Sequence, residues 1–341
     1  MLIRTVHNGH MPINIDINTQ DGCQPKFKQL AEAVKDGIAN GRLKHGEALP
    51  SVSVLCSEYG LARDTVFKAY SNLKEQGIIS SHPGKGYFVS DRTKRIFVFL
   101  DTFKAYKEVL YDGLFRHLPH NVIVDVNFHH YNPNLFKKLI DESVGKYGKY
   151  IVMPFLGEQV RSAMQKLPQD KLLVIDWNLY TNESSNAVYQ DFDRALSDGL
   201  EQILDKIEQY DEFRMLYPSF TYHPHQSVDC FVRFCRRHGI RHEVETDPDA
   251  LNVKSGTAYF SVSDRMLAKL LHQARAMHLT VGKDVGIVSY NETPMKEFIA
   301  NGITVFSTDF EQMGRMAAQF VVRDEPLRLC VPSRMIIRNS I

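Results

Sequence analysis

The sequence lacks any apolar run near the 20 residues that a membrane-spanning helix needs, so no membrane span is expected. Its first residues, MLIRTVHNGHMPINIDINTQ, lack the apolar core of a secretory signal peptide, and a cytoplasmic location follows. An excess of one charge is missing too. With 41 Lys and Arg against 40 Asp and Glu, the formal net charge is +1, so any basic footprint for nucleic acid must be local. Cysteine is scarce. The five thiols are odd in number and form no C-x-x-C pair, which argues against a disulfide framework and for reduced, mostly buried thiols. No G-x-S-x-G, H-E-x-x-H or Walker motif is present, so no catalytic residue and no cofactor is assigned. There is one tryptophan, Trp177.

What is present fits a folded protein of two domains: 341 residues, 43% hydrophobic and 24% charged. Residues 1–22 read as an extended lead-in with Ile13, Ile15 and Ile17 alternating. Pro25 opens a first helix, whose apolar stripe is Phe27, Leu30, Ala31, Val34 and Ile38 and which Gly41 ends. The loop GRLKHGEALPS follows, with Ser51 as a natural N-cap. In LCSEYGLARDTVFKAYSNLKEQGII (55–79), Leu55, Tyr59, Leu61, Val66, Ala69, Tyr70 and Leu73 recur at helical spacing. Gly60 breaks the period as a glycine just past a helix end does, which predicts a helix-turn-helix with the second helix over about 62–76. Its outward start carries Arg63, Asp64, Thr65 and Lys68, types that reach base edges or phosphates in a major groove. The same pattern alone also suits an ordinary amphipathic helix pair. Residues 78–89 then read as a hairpin with His82, Pro83, Gly84, Lys85 and Gly86 around its tip. A hairpin in that place is a wing, and Lys85 between two glycines can approach phosphate closely.

Residues 25–90 resemble the winged-helix domain of GntR-family bacterial transcription regulators. The resemblance rests on G-x-L-x-x-G-x-x-L-P-S from Gly41 to Ser51, the Arg63, Thr65, Val66 and Ala69 pattern, the Leu73–Gly77 helix end and the G-x-G-x-F-V wing. It implies DNA contacts from Ser51, Ser53, Arg63, Asp64, Thr65, Lys68, His82 and Lys85. The family usually carries arginine at Ser53 and serine at Ala62, so the operator sequence read here is not transferable.

Asp91 to Arg95 is charged without apolar anchors and reads as a linker. The composition then changes. Strand-like apolar runs at 96–100, 122–126, 150–153, 172–175, 213–217, 257–261 and 285–290 alternate with helical periods, including one over 195–207. That alternation predicts parallel sheets with helices on both faces, in two lobes. In such sheets ligands bind beyond the carboxyl ends of the strands. The rule selects Asp101, Thr102, Phe103 and Tyr106 after the first strand, and Asp176, Trp177 and Asn178 after the fourth. In the second lobe it selects Ser219, Tyr222, His223 and His225, then Ser263-Asp264 and Asn291-Glu292. Aromatic faces with carboxylates and amides suit a sugar. Trp177 at a strand-end loop reads as a cleft contact, with a buried lobe anchor as the alternative. His223-x-His225 suggests a metal pair, but no carboxylate or cysteine completes a set, and no metal is assigned. His129 and His130 read as solvated loop residues.

This second part resembles the sugar-sensing domain of the LacI family, itself similar to periplasmic binding proteins. Ser263-Asp264 with Met266-Leu267-Ala268, the stretch from Gly286 to Glu292, and Ile303 to Thr308 followed by Met313 to Ala318 carry the likeness. The pairing of the two parts looks like the arabinose-repressor subgroup. The fold class implied is α/β with an α+β head: an N-terminal winged helix-turn-helix, then a two-lobed parallel-sheet domain. Expected boundaries are a head at 1–90, a linker at 91–95 and a sensing domain at 96–341. Lobe 1 takes about 96–189 plus 309–324; lobe 2 takes about 190–308 plus the C-terminal segment.

The resemblance implies effector contacts at Asp176, Ser263 and Asn291, and the full expected set is Thr102, Phe103, Tyr106, Asp176, Trp177, Asp191, His223, His225, Ser263, Asp264 and Asn291. The family usually has an arginine near Ser227, a role that falls here to His223 or His225. The expectation is a non-enzymatic, homodimeric repressor that binds double-stranded operator DNA and a monosaccharide, a pentose or a deoxyhexose. The alternatives are a nucleobase or peptide effector, or a winged helix fused to a pyridoxal-phosphate enzyme. The latter needs more chain than 95–341 and a lysine in a strand-loop context.

Overall fold

The computed structural model describes residues 24–39, 42–44, 46–90, 94–119, 121–323 and 325–341. The expected lead-in at 1–22, Gly41 and residues 91–93 of the expected linker lie outside them.

The head consists of α1 (Lys26–Ala39), α2 (Val52–Tyr59), α3 (Arg63–Glu75) and the antiparallel hairpin β1 (Ile79–His82) and β2 (Gly86–Val89). Ser51 caps α2, its side chain accepting from Val54 N at 3.3 Å. Gly60 takes φ +62, a left-handed conformation that lets α2 stop and α3 start within three residues. Val66, Ala69, Tyr70 and Leu73 on one face of α3 meet Leu30 and Val34 of α1 in a common core. The Tyr70 hydroxyl donates to Pro50 O at 2.7 Å, tying α3 to the entry of α2.

Lobe 1 contains β3 (Lys94–Leu100), α4 (Ala105–His117), β4 (Val122–Phe128), α5 (Pro133–Ser143), β5 (Lys149–Val152), α6 (Glu158–Met164), β6 (Leu172–Asp176) and β7 (Ala187–Tyr189). Lobe 2 follows with α7 (Arg194–Glu201), α8 (Leu204–Ile207), β8 (Glu212–Leu216), α9 (Gln226–Arg237), β9 (His242–Glu245), β10 (Thr257–Ser261), α10 (Asp264–Ala276), β11 (Val285–Tyr290) and β12 (Thr304–Thr308). The chain then returns to lobe 1 as α11 (Phe310–Val322) and β13 (Arg328–Cys330), and ends in lobe 2 with β14 (Ser333–Ile336). The lobe 1 sheet runs β13-β7-β6-β5-β3-β4, all parallel. The lobe 2 sheet runs β14-β12-β11-β10-β8-β9, parallel except for β14 against β12.

The continuous apolar run of β3 reflects burial on both faces. Ile96, Val98 and Leu100 face α4 and α11, while Phe97 and Phe99 face α5 and α6. Helices α4 and α11 cross so closely that a Cβ on Gly113 would stand 2.6 Å from Glu311 O, and one on Gly314 would collide with Leu110 O. Glycine at both positions lets the returning helix dock on the first helix of lobe 1.

Four expectations are corrected. The strand expected from 96 begins at Lys94, so part of the expected linker is ladder-bonded to β4. The helix expected over 195–207 is two, α7 and α8, interrupted at Gln202–Ile203. The C-terminal segment is shared: β13 extends lobe 1 and only β14 belongs to lobe 2. Among the thiols, Cys230 and Cys235 are buried but Cys330 is exposed; β13 is an edge strand with one side open. Strands β7, β9, β13 and β14 had no strand expectation, being three or four residues long and mostly polar at their ends.

Candidate functional site

On the head, Arg63, Asp64 and Lys68 are exposed and Thr65 is half-buried, on the side of α3 opposite its core face. Ala62 stands at the N-cap and offers no side-chain bond, so the first N–H groups of α3 are left open. Phe67, 47% exposed, lies one helical turn after Arg63 and adds an apolar contact that the sequence reading did not select. Ser53, His82 and Lys85 are also exposed. Gly84 and Gly86, at φ +74 and +97, make the wing turn, and the His82 ring edges onto Phe88 at 5.4 Å. Among the described residues Arg63, Lys68 and Lys85 make no ion pair, which leaves three cations available to phosphate. Ser51 has its side chain engaged as the α2 cap, though it stays exposed.

Between the lobes lies a cavity of about 380 Å³ at the carboxyl ends of the strands. Lobe 1 brings Thr102, Tyr106, Asp176 and Trp177 to it; lobe 2 brings His223, Ser263, Asp264 and Asn291. Three expected residues are not there. Phe103 is 58% exposed and edges onto Tyr111 and Phe128 on the outer face of lobe 1. Asp191 accepts from Asp193 N and Arg194 N at 2.8 and 3.1 Å, serving the start of α7. His225 begins α9 from outside, exposed and 3.5 Å from Asp229. Each of the three side chains is engaged with partners outside the cleft.

Asp176 and Asn291 occupy matching places, each at the end of a central strand with positive φ, +71 and +62. Such backbone strain in a non-glycine residue persists where the surroundings hold it and gathers at functional sites. Asp176 accepts from Gln190 Nε2; Gln190 Oε1 accepts from Thr308 Oγ1 at 2.8 Å; Thr308 Oγ1 and Ser333 Oγ are 2.6 Å apart. Gln190, Thr308 and Ser333 lie at the three passages of the chain between lobes, so one hydrogen-bond chain joins the cleft carboxylate to every crossing. Burial raises the Asp176 pKa, and the Lys107 ammonium opposes that rise.

A second, hidden layer supports the first. Lys107, fully buried on α4, pairs with Asp101, itself 4% exposed, and Asp101 also accepts from Tyr131 OH. Lys296, 2% exposed, donates to the carbonyls of Tyr290 and Asn291 at 2.9 and 2.7 Å and pairs with Asp264 at 2.8 Å. It therefore fixes both the end of β11 and the start of α10. His223 is held neutral: burial pushes its pKa down to about 3, and its Nε2 meets Ser227 Oγ at 2.7 Å. His129 is not solvated as expected but fully buried. Its Nε2 donates to Met153 O at 3.0 Å and its Nδ1 accepts from Tyr131 N at 3.1 Å. Burial pushes its pKa down to about 4. His130 is exposed.

Among the residues that line the cleft, three buried oxygens have no protein partner: Thr102 Oγ1, Tyr290 OH and Asn291 Oδ1. Buried polar atoms normally do, so these residues hold hydrogen-bonding capacity that the protein leaves unused. Phe192, His223 and Tyr290 form an aromatic wall beside them, with His223 and Tyr290 centroids 4.4 Å apart and Trp177 6.2 Å from Phe192. Sequence reasoning did not select Lys107, Tyr131, Gln190, Tyr290 or Lys296 for the site. A lysine in a helix stripe reads as solvated, and a tyrosine ending an apolar strand reads as core. Among the described residues no group of three His, Cys, Asp or Glu side chains is arranged to hold a metal ion. No described helix is long and apolar enough to cross a membrane.

Comparison with known proteins finds a match in the head and another in the second half of the body. Residues 26–89 match the family described as bacterial regulatory proteins, gntR family, and residues 208–341 match the periplasmic binding protein-like domain. The chain thus joins a head similar to the gntR family to a body whose second half is similar to the periplasmic binding protein-like domain. The GntR-type head is 41% identical over 70 residues to the mannosyl-D-glycerate transport/metabolism system repressor MngR of Escherichia coli, covering 20% of this chain and 29% of that one. It is 37% identical over 76 residues to the repressor NagR of Bacillus subtilis, covering 22% and 31%. The chain thus spans under a third of either curated relative. The body superposes on the trehalose repressor of Escherichia coli with TM-score 0.60 at 11% identity, over 72% of this chain and 100% of that one. It superposes equally, with TM-score 0.60 at 16% identity, on a LacI family transcriptional regulator from Enterococcus faecium with bound ribose, over 72% and 98%. These structural likenesses establish the fold of the body, including lobe 1, which the domain match beginning at 208 does not reach.

Proposed function

We propose that the protein is a cytoplasmic, homodimeric transcription regulator, a repressor of sugar-utilisation genes whose hold on operator DNA is set by one monosaccharide between its lobes. The observation that carries this reading is the set of unpartnered oxygens on Thr102, Tyr290 and Asn291 around Asp176, in a cleft whose carboxylate is bonded to all three crossings. Hydroxyl groups both donate and accept, so a sugar answers Asn291 Oδ1, Tyr290 OH and Asp176 together. The aromatic wall packs on a C–H face. A pentose or a deoxyhexose suits a cleft with this balance of rings and polar atoms. The matched relatives named as repressors and the neighbour that holds ribose support the class of function and of ligand.

The mechanism begins at Asp176. A sugar hydroxyl donating there competes with Gln190 Nε2, and Gln190 is bonded on its other side to Thr308. A ligand that bridges Asp176 and Asn291 favours the closed lobes by its differential affinity alone. Lobe rotation moves α4 and the segment leading to the head. In a dimer the two heads then no longer meet both half-sites together, and operator affinity falls.

A thermal-shift panel of L-arabinose, D-xylose, L-fucose and L-rhamnose against adenine and a dipeptide tests this. At about 100 times Kd a true ligand adds roughly 2.7 kcal/mol. One sugar should shift the wild type, and Asn291→Ala should lose that shift while still binding sugar-free operator. A shift by adenine or the dipeptide alone would reject the sugar reading.

A further inference from the structure

Across the mouth of the cleft Tyr131 of lobe 1 and Tyr222 of lobe 2 lie face to face, centroids 3.8 Å apart and planes 3° from parallel. The two are held very differently. Tyr131 sits at φ +57 directly after His130 at φ +49, in the loop between β4 and α5. Its hydroxyl is bound to the buried Asp101–Lys107 pair and its N–H to His129 Nδ1. His129 in turn stacks on Phe155 at 4.9 Å, and Phe155 edges onto Tyr131 at 5.6 Å. Tyr222 is 55% exposed in the loop between β8 and α9, and its hydroxyl makes no hydrogen bond among the described residues. A strained and heavily buttressed ring thus presents its flat face to a loosely held one on the other lobe.

We propose that Tyr131 and Tyr222 are a latch on the effector cleft and determine which ligands it accepts. Tyr131 is the fixed post and Tyr222 the moving bar. The rings part for entry and meet again over the bound ring, so a sugar fits only if nothing on it projects between them. Free monosaccharides pass; the same sugars carrying a bulky aglycone do not. The selection rests on the cleft being the effector site, whereas the latch itself does not, and the two are tested apart.

Acrylamide quenching of Trp177 in the ligand-free protein reads the latch directly. Tyr222→Ala should raise the quenching constant and Tyr222→Phe, which keeps the ring, should not. Equal constants for wild type and Tyr222→Ala would overturn the latch whether or not any sugar binds. Selection is read by stopped-flow fluorescence with whichever of L-arabinose, D-xylose, L-fucose or L-rhamnose binds, and with its p-nitrophenyl glycoside. Release from Tyr222→Ala should be roughly 2- to 10-fold faster, the factor a stacked ring pair is worth. The glycoside should bind Tyr222→Ala and not wild type or Tyr222→Phe. Glycoside binding to the wild type, or its rejection by Tyr222→Ala at an unchanged release rate, would refute the selective role. Failure of all four sugars on the wild type would reject the sugar reading and with it the selective role, leaving the quenching result to decide the latch.

Discussion

Replacing Lys107 with methionine tests how the cleft is supported. The side chain keeps its length, but the ammonium that faces Asp101 is gone. The Lys107 side chain is 0% exposed and that of Asp101 6% exposed, so no water takes the place of the cation. Asp101 would retain only the Thr102 N–H and Tyr131 O–H as donors. Breaking a buried pair from one side costs about 3–5 kcal/mol, because a charge is left without compensation. The double variant Lys107→Met/Asp101→Asn removes both charges and should lie within about 1–2 kcal/mol of wild type, since neutral replacements of buried pairs are often tolerated. The coupling energy, the sum of the two single-variant losses less that of the double variant, should exceed about 1 kcal/mol. Urea unfolding followed by Trp177 fluorescence and circular dichroism supplies the midpoints. The lobes need not unfold together, so the transition assigned to lobe 1 is the one compared. A single variant that loses less than about 1 kcal/mol, or a double variant as unstable as the sum of the singles, would refute the buried-pair reasoning.

Three more outcomes follow from the geometry. Arg63→Ala should cost about 1–3 kcal/mol of discrimination between operator and random duplex, whereas Lys85→Ala should weaken both and lower the salt slope by about one; equal specificity ratios for wild type and Arg63→Ala in a binding titration would remove the base-reading role. His129 is neutral when folded, with a pKa near 4, against about 6.5 unfolded, so the unfolded chain takes the proton first. Its contribution is therefore complete above about pH 7 and is lost as pH falls from 6.5 towards 4, reaching about 2 kcal/mol at pH 5; a urea midpoint unchanged between pH 7.5 and 5 would contradict this. Asn121 Nδ2 donates to Gly77 O at 2.9 Å, joining the turn after α4 to the end of α3, so Asn121→Ala should leave sugar affinity intact and shrink the sugar-induced change in operator affinity, as measured by calorimetry beside gel shift.

The order of elements, the winged head and the two-lobed body were legible because they rest on local physics. Helical periods in 55–79, left-handed glycines at Gly60, Gly84 and Gly86, the Ser51 cap and doubly buried apolar strands such as 96–100 each act within a few residues. The strand-end rule was local as well, and it brought Thr102, Tyr106, Asp176, Trp177, His223, Ser263, Asp264 and Asn291 to the cleft. It also offered Phe103 and His225, which the structure places outside the cleft, as it does Asp191 of the expected set. Only the tertiary structure decided that Lys107 and Lys296 are interior cations, that His129 is a neutral buttress and that Gln190 speaks to Thr308 and Ser333. It alone brought Tyr131 to Tyr222. A lysine, histidine or tyrosine is equally at home in water or in a satisfied interior, and its partners here come from distant parts of the chain. Which environment it occupies is settled when the lobes close on their cores, because the free energy of burying a polar group depends on partners that no local window contains.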